Sequence, residues 1–374
     1  MAEIVIDRLG HRGDGVADVA GRSVFVPFAL PGERVEVEID GDRAWTVAIL
    51  TPSPDRVLPP CPHFGTCGGC ALQHLSPPAY AAFKRRIVVD ALADRGLSPD
   101  VGEAILTPPG ARRRATFAGI MAGKDPLVGF NARGSHRIVP IATCPVSLPA
   151  LLGARPALEA ITRLLQPRKT AIDLSVTVTT AGFDVAVSSV HARDLDRYRL
   201  PLIDLAGAHD LARLSVAWEV VVERRPPVVT IDGVPVVAPP GGFLQASAEA
   251  EKAIAGLVVE AAGGARRIAD LFAGVGTFAL RLARTATVYA AEGDKGAAAA
   301  LDRAMRSMTG RGRITVEARD LARRPLVEKE LDAFDAVVFD PPRAGAAEQS
   351  AWIAKSKVPT VVAVSCGPAT LARD

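Results

Sequence analysis

The chain has 374 residues, too many for one hydrophobic core at roughly 100–200 residues per domain, so two or three domains are expected. Hydrophobic residues make up 49% and charged residues 23%, which excludes an intrinsically disordered chain, and no apolar run approaches the roughly 20 residues that span a membrane. The net charge of +3 is unevenly spread: residues 1–55 hold 5 Arg against 10 Asp and Glu, whereas residues 56–240 hold 21 basic against 15 acidic residues. The middle is therefore the expected polyanion-facing part, against the plainer reading of a scattered, solvated charge.

The first 50 residues read as short strands with tight turns. Val35, Val37 and Ile39 alternate with Arg34, Glu36 and Glu38, and Ser23–Pro27 is a second strand. About five strands in that length predict a small β-barrel of the oligonucleotide-binding class. Thr51–Asp55 reads as a linker. A cysteine cluster follows, then a helix from Ser76 to about Arg95. Residues 112–240 read as mixed strand and helix. They carry one hairpin around Ala181-Gly182 and another around Asp232-Gly233.

From about residue 246 the pattern changes to alternating helices and apolar strands. Helices are predicted over Ala248–Ala262, from Thr277, and over 295–308. Strands are predicted over Ile268–Phe272, Thr287–Ala291, Ile314–Glu317, Ala336–Phe339 and Thr360–Val364. Such alternation means an α/β, doubly wound, parallel sheet. The expected domains are 1–55, a barrel; 56–240, an α+β domain bearing the cysteines; and 241–374, a Rossmann-like domain.

Five constellations carry chemistry. Asp270-Leu-Phe-Ala-Gly-Val-Gly-Thr277 runs from a strand into a glycine loop, with Glu292 at the end of the next strand, where a carboxylate can hold ribose hydroxyls. This pattern suits a dinucleotide or S-adenosylmethionine, or a packing turn. Asp340-Pro-Pro-Arg343 ends a strand at the ligand-facing edge of a parallel sheet; a strand-terminating turn is the plainer reading. Cys366 follows another strand and is placed like a nucleophile, although a small buried cysteine is common. Cys61, Cys67, Cys70 and Cys144 form a four-thiol set whose spacing suits an iron–sulfur cluster, with zinc as the alternative. Arg112, Arg113, Arg114, Lys124, Arg133, His136 and Arg137 face a single acid, Asp125, in the stretch 111–140. Phe117 and Phe130 interleave with them, which allows base stacking as well as phosphate contact, or simply a solvated basic face.

Together these residues resemble the S-adenosylmethionine-dependent RNA (uracil-5-)-methyltransferases. The matching segments are Cys61–Cys70 with Gln73-His74-Leu75, Gly129-Phe130 to His136, Cys144-Pro145, Phe243-Leu-Gln245, Asp270–Thr277, Asp340–Arg343 and Ser365-Cys366 to Asp374. The front resembles the TRAM barrel that many members carry. The resemblance implies a 4Fe-4S cluster on Cys61, Cys67, Cys70 and Cys144, and a nucleophilic Cys366. It implies an S-adenosylmethionine pocket lined by Gln245, Phe272, Thr277, Glu292, Asp320 and Asp340, with Asp340 also beside the reacting base. It implies an RNA partner, rRNA or tRNA; a monomer is expected, and the N-terminus without a signal pattern and the few cysteines make the cytoplasm the expected compartment, with no membrane. Members continue past the Leu371–Asp374 segment with further strands and a glutamate base, so a C-terminally truncated chain is expected. Alternatives are a cytosine-5 RNA methyltransferase, a non-catalytic RNA-binding protein, and a nicotinamide dehydrogenase, the last opposed by the missing third glycine and by Asp340-Pro-Pro.

Overall fold

The computed structural model describes residues 1–190, 195–308 and 313–374. The chain separates into two compact units. The first holds Met1–Ala93, Ser98–Leu106 and Gly129–Pro145; the second holds Asp94–Leu97, Thr107–Val128 and Val146–Asp374. The three expected spans thus regroup, because the barrel and the cysteine segment share one set of contacts and the two later spans share another.

In the first unit, β1 (Ala2–Val5), β2 (Arg8–Leu9), β3 (Gly15–Val19), β4 (Arg22–Val26), β5 (Arg34–Asp40) and β6 (Arg43–Thr51) form a sheet in the order β1-β5-β6-β4-β3-β2. Val35 and Val37 are buried while Arg34 and Glu38 are exposed, the period-two pattern of a strand with one wet face. Ile6, Val24, Val26 and Ala44 complete the core. Gly15 is required by close approach, since a Cβ there would stand 2.8 Å from the Ala29 carbonyl and 2.9 Å from Ile6.

The segment 51–55 is latched rather than loose. Thr51 belongs to β6, and Ser53 is buried with its amide on the carboxylate of Glu33. Glu33, fully buried, also accepts from the Leu30 amide and from Arg56 Nε and Nη2. Burial would raise its pKa, but the Arg56 and amide hydrogen bonds outweigh that and hold it below the usual carboxylate range. Helix α1 (Pro77–Ala93) follows.

In the second unit, β7 (Arg114–Ala122) begins a second sheet. Strand β8 (Asp125–Asn131) carries the chain back into the first unit, where it pairs with β9 (Ile138–Pro140) from Gly129 onward. After α2 (Pro149–Leu152) and α3 (Arg155–Leu165) come β10 (Ile172–Thr179), β11 (Gly182–Ser188), α4 (Leu195–Ala208), β12 (Arg213–Val216) and β13 (Glu219–Glu223). Within this unit the sheet runs β13-β12-β11-β10-β7. Hairpin β14 (Val228–Ile231) to β15 (Val234–Val237) turns at Asp232 and Gly233, both at positive φ as a two-residue turn of this hand requires. Its Val229, Ile231, Val234 and Val236 join the core of the following domain, so the expected boundary at 241 falls after the hairpin has already been absorbed.

The remaining elements are α5 (Ala248–Ala262), β16 (Arg267–Leu271), α6 (Ala279–Leu282), β17 (Thr287–Glu292), α7 (Lys295–Arg306), β18 (Ile314–Ala318), α8 (Glu328–Leu331), β19 (Ala336–Phe339), α9 (Ala347–Lys355), β20 (Thr360–Ala363) and α10 (Pro368–Arg373). All strand pairs are parallel, in the order β18-β17-β16-β19-β20. Apolar clusters cover this sheet, as a sheet buried on both faces requires. The helix expected from Thr277 is shorter than its pattern, beginning only at Ala279. No helix among the described residues is long and apolar enough to cross a membrane.

Candidate active site

Strand order reverses between β16 and β19, which opens a crevice at the C-terminal ends of the strands. Because every strand of the sheet is parallel, each contributes its outgoing loop to that one edge. Phe272 follows β16, Glu292 closes β17, Asp320 lies just past β18, Asp340 follows β19 and Cys366 lies just past β20. Five of the predicted site residues therefore gather from positions spread over nearly a hundred residues of sequence.

The glycine loop is built for close approach. Phe272 has φ 62°, an uncommon conformation for a residue with a side chain, and it turns the chain sharply off β16. Gly274 and Gly276 also have positive φ, and a Cβ on Gly276 would overlap Leu301. The Glu292 carboxylate braces this loop: Oε2 accepts the Gly274 amide at 2.7 Å and Oε1 the Asp294 amide at 2.7 Å. Each oxygen keeps lone-pair capacity, so the carboxylate is oriented yet able to accept hydroxyls. Asp320 is held beside it, since the preceding residue, Arg319, donates its amide to the Glu292 carbonyl at 2.8 Å.

Asp340 is tied to the central strand, its amide donating to the Leu271 carbonyl at 3.3 Å, and burial pushes its carboxyl up to about 6. The loop after it is locked by α10: Arg373 Nη2 donates to the Ala344 carbonyl and Asp374 Oδ2 accepts the Ala346 amide. Cys366 is exposed at the crevice edge. Its turn is fixed by its neighbours, with Ser365 Oγ accepting the Gly367 amide at 3.2 Å and Thr370 Oγ1 donating to the Gly367 carbonyl at 2.8 Å.

Asp270, in the same motif, is fully buried and neither oxygen has a hydrogen bond of normal geometry. Burial pushes it up to about 8; the Ala279 amide opposes the rise in part, while Asp340 and Glu292 add to it. The folded state thus favours the neutral acid. Its contribution to stability is complete below about pH 4, the ordinary carboxyl range, and is lost as pH climbs to about 8. Asp270→Asn is therefore expected to melt a few degrees above the parent at pH 8, with the gap closing by pH 5, in ligand-free thermal scans. A gap that widens toward low pH would contradict the assignment.

In the first unit, the loop from Cys61 to Cys70 docks on the β8–β9 hairpin. The Gly68 amide donates to the Asn131 carbonyl at 2.9 Å, and Cys67 bridges to Ala132. A Cβ at Gly68 would stand 2.9 Å from that carbonyl, so only glycine allows the approach. His74 is fully buried against Phe28 and Phe64 and is kept neutral by burial, its pKa lowered to about 4. Burial raises the Cys67 and Cys70 thiols, and Cys144 and Cys61 add to the rise in both. The four thiols are thus within electrostatic reach of one another. Among the described residues no three His, Cys, Asp or Glu side chains form a group that could hold a metal ion. Four thiols supply the donor type of either an iron–sulfur cluster or a zinc ion.

Residues 2–47 match the TRAM domain. Over 377 residues the chain is 46% identical to an RNA methyltransferase of Rhizobium meliloti, with 99% of this chain and 91% of that protein covered. It is 34% identical over 414 residues to the 23S rRNA (uracil(1939)-C(5))-methyltransferase RlmD of Halomonas elongata, covering 100% of this chain and 82% of that one. The chain belongs to the S-adenosylmethionine-dependent RNA (uracil-5-)-methyltransferase family. Its fold matches that of the Pyrococcus abyssi tRNA (uracil-54, C5)-methyltransferase, solved in complex with S-adenosyl-L-homocysteine, with a TM-score of 0.74, 24% identity, and 100% and 92% of the two chains covered.

The arginines expected to grip RNA in this methyltransferase divide into two groups. Arg112, His136 and Arg137 are exposed. Arg113 is buried, paired with Glu251 at 2.6 Å, and is withdrawn from the RNA-facing set. Arg114 is half-buried, donating to the Leu244 carbonyl at 3.1 Å and lying over the Phe243 ring. Arg133 is spent on Asp14 at 2.5 Å and on the Phe28 ring. Phe117 is buried in the core and offers no stacking surface. The sequence carried no local signal for Glu251 or Arg281, which pair at 2.8 Å from 30 residues apart.

Proposed function

We propose that this methyltransferase transfers a methyl group from S-adenosylmethionine to carbon 5 of a uridine in rRNA or tRNA, through a covalent adduct on Cys366. The observation that carries the reading is the convergence of Glu292, Asp340 and Cys366 at one edge of the parallel sheet. Carbon 5 of uracil is a poor nucleophile. Addition of the Cys366 thiolate at carbon 6 makes an enolate that is nucleophilic at carbon 5, which then takes the methyl group. A base then takes the carbon-5 proton as the thiolate is expelled, which frees the enzyme, one hard step being split into easier ones. The target base must leave its stack to reach an exposed thiol at the crevice mouth.

On this reading Gln245, Phe272, Thr277, Glu292 and Asp320 line the methyl-donor site, and Asp340 lies between donor and base. Arg112, His136 and Arg137 contact RNA phosphates. Cys61, Cys67, Cys70 and Cys144 hold a 4Fe-4S cluster that orders the first unit; the chemistry above needs no redox step. Glu292→Ala removes a charged acceptor for the ribose and is expected to weaken S-adenosylmethionine binding by about 1–3 kcal/mol. Calorimetry tests this; unchanged affinity, or tighter binding of NAD, would refute the assignment. Methylation of uridine-containing but not cytidine-containing RNA separates carbon-5 uridine chemistry from its cytosine counterpart.

A further inference from the structure

Three side chains from distant parts of the second unit meet in its interior. Glu251, in the first turn of α5, has 3% of its side chain exposed, and its two oxygens go to two guanidinium groups. Oε2 accepts from Arg113 Nη2 at 2.6 Å and Oε1 from Arg281 Nη2 at 2.8 Å. The two arginines are 9% and 13% exposed. One carboxylate between two guanidinium groups leaves a formal excess of positive charge in a dry place, which is costly unless the remaining N–H groups are satisfied.

Main-chain carbonyls help to satisfy them. Arg113 Nε donates to the Gln245 carbonyl at 3.2 Å, and its amide donates to the Ala246 carbonyl at 2.8 Å. Arg281 Nη1 donates to the Thr277 carbonyl at 2.5 Å. The last bond fills a gap. In a regular helix the Thr277 carbonyl would accept the Arg281 amide. That amide goes instead to the Phe278 carbonyl at 3.0 Å, and the Arg281 side chain takes its place.

We infer that Arg281, Glu251 and Arg113 are positioning residues of the methyl-donor site. They hold the Gln245 and Thr277 main chains, two walls of that site, at a fixed separation, so that the donor meets a preformed cradle. The inference rests on the cofactor assignment proposed above. Well-packed apolar side chains in place of a buried ion pair or triad are often as stable or more so, so packing alone does not account for the charges. None of the three touches the reacting atoms.

Arg281→Lys keeps the charge beside Glu251 but loses the fork that reaches Thr277. The expected result is a rise of about tenfold in both Kd and KM for S-adenosylmethionine, the loss of one charged hydrogen bond. The kcat at saturating donor and the Kd for uridine-containing RNA stay within about twofold of the parent. Glu292→Ala is measured alongside. Weakened donor binding in Glu292→Ala with normal binding in folded Arg281→Lys overturns the positioning role. Unchanged affinity in both variants overturns the cofactor assignment instead. A fall in kcat with unchanged donor affinity also overturns the positioning role. Should Arg281→Lys fail to fold, Arg113→Lys strips the Gln245 carbonyl in the same way: a tenfold loss of donor affinity supports the inference and an unchanged affinity overturns it.

Discussion

Cys366→Ala is expected to abolish methyl transfer, with turnover falling on the order of 10⁴-fold or more, the scale seen when a covalent nucleophile is removed. The same change should leave the fold and donor binding intact. Cys366 is exposed, and its turn is held by Ser365, Gly367 and Thr370 rather than by the thiol. Exposed substitutions of this kind usually move stability by no more than about 0.5 kcal/mol. The measurement is single-turnover methylation of a uridine-containing RNA, with calorimetry for the donor and a thermal scan as controls. RNA containing 5-fluorouridine adds a direct view of the adduct, because fluorine cannot leave carbon 5 as a proton does. A slow band on a denaturing gel, absent in Cys366→Ala, is expected. Residual turnover within tenfold of the parent would remove Cys366 from the mechanism.

The second large effect is expected at the cysteine set. Cys67→Ser should give colourless protein where the parent, purified without oxygen, is brown with broad visible absorbance. It should also melt well below the parent, because structural metal centres contribute on the order of 10 kcal/mol to small domains that depend on them. The position is demanding: Cys67 pairs with Ala132, and the Gly68 amide beside it donates to Asn131. Losing the centre should therefore loosen the β8–β9 hairpin and the exposed His136 and Arg137 that it carries. Colourless parent protein with one zinc per chain would sink the cluster assignment. Unchanged melting of a colourless Cys67→Ser would sink its structural role.

Local pattern alone located much of the catalytic sheet. Helix α5 and strand β19 have the bounds that the pattern predicts, because α5 buries one face at helical spacing and β19 is a short apolar run buried throughout. Asp232-Gly233 set the β14–β15 turn, since both positions need positive φ. Once the strands are known to be parallel, their C-terminal ends share an edge, and Glu292, Asp340 and Cys366 follow from chain position.

What tertiary structure alone decided are pairings across long stretches of sequence. Arg113 reads as part of a basic patch until Glu251, 138 residues away, buries it. Ser53 reads as linker until the buried Glu33 takes its amide. The helix expected at Thr277 starts late, because the Arg281 amide and side chain divide between two carbonyls. Periodicity records which face of an element is wet. It carries no record of which distant charge will meet it, because that depends on how whole elements pack, and here one carboxylate decided whether an arginine faces solvent or supports the crevice.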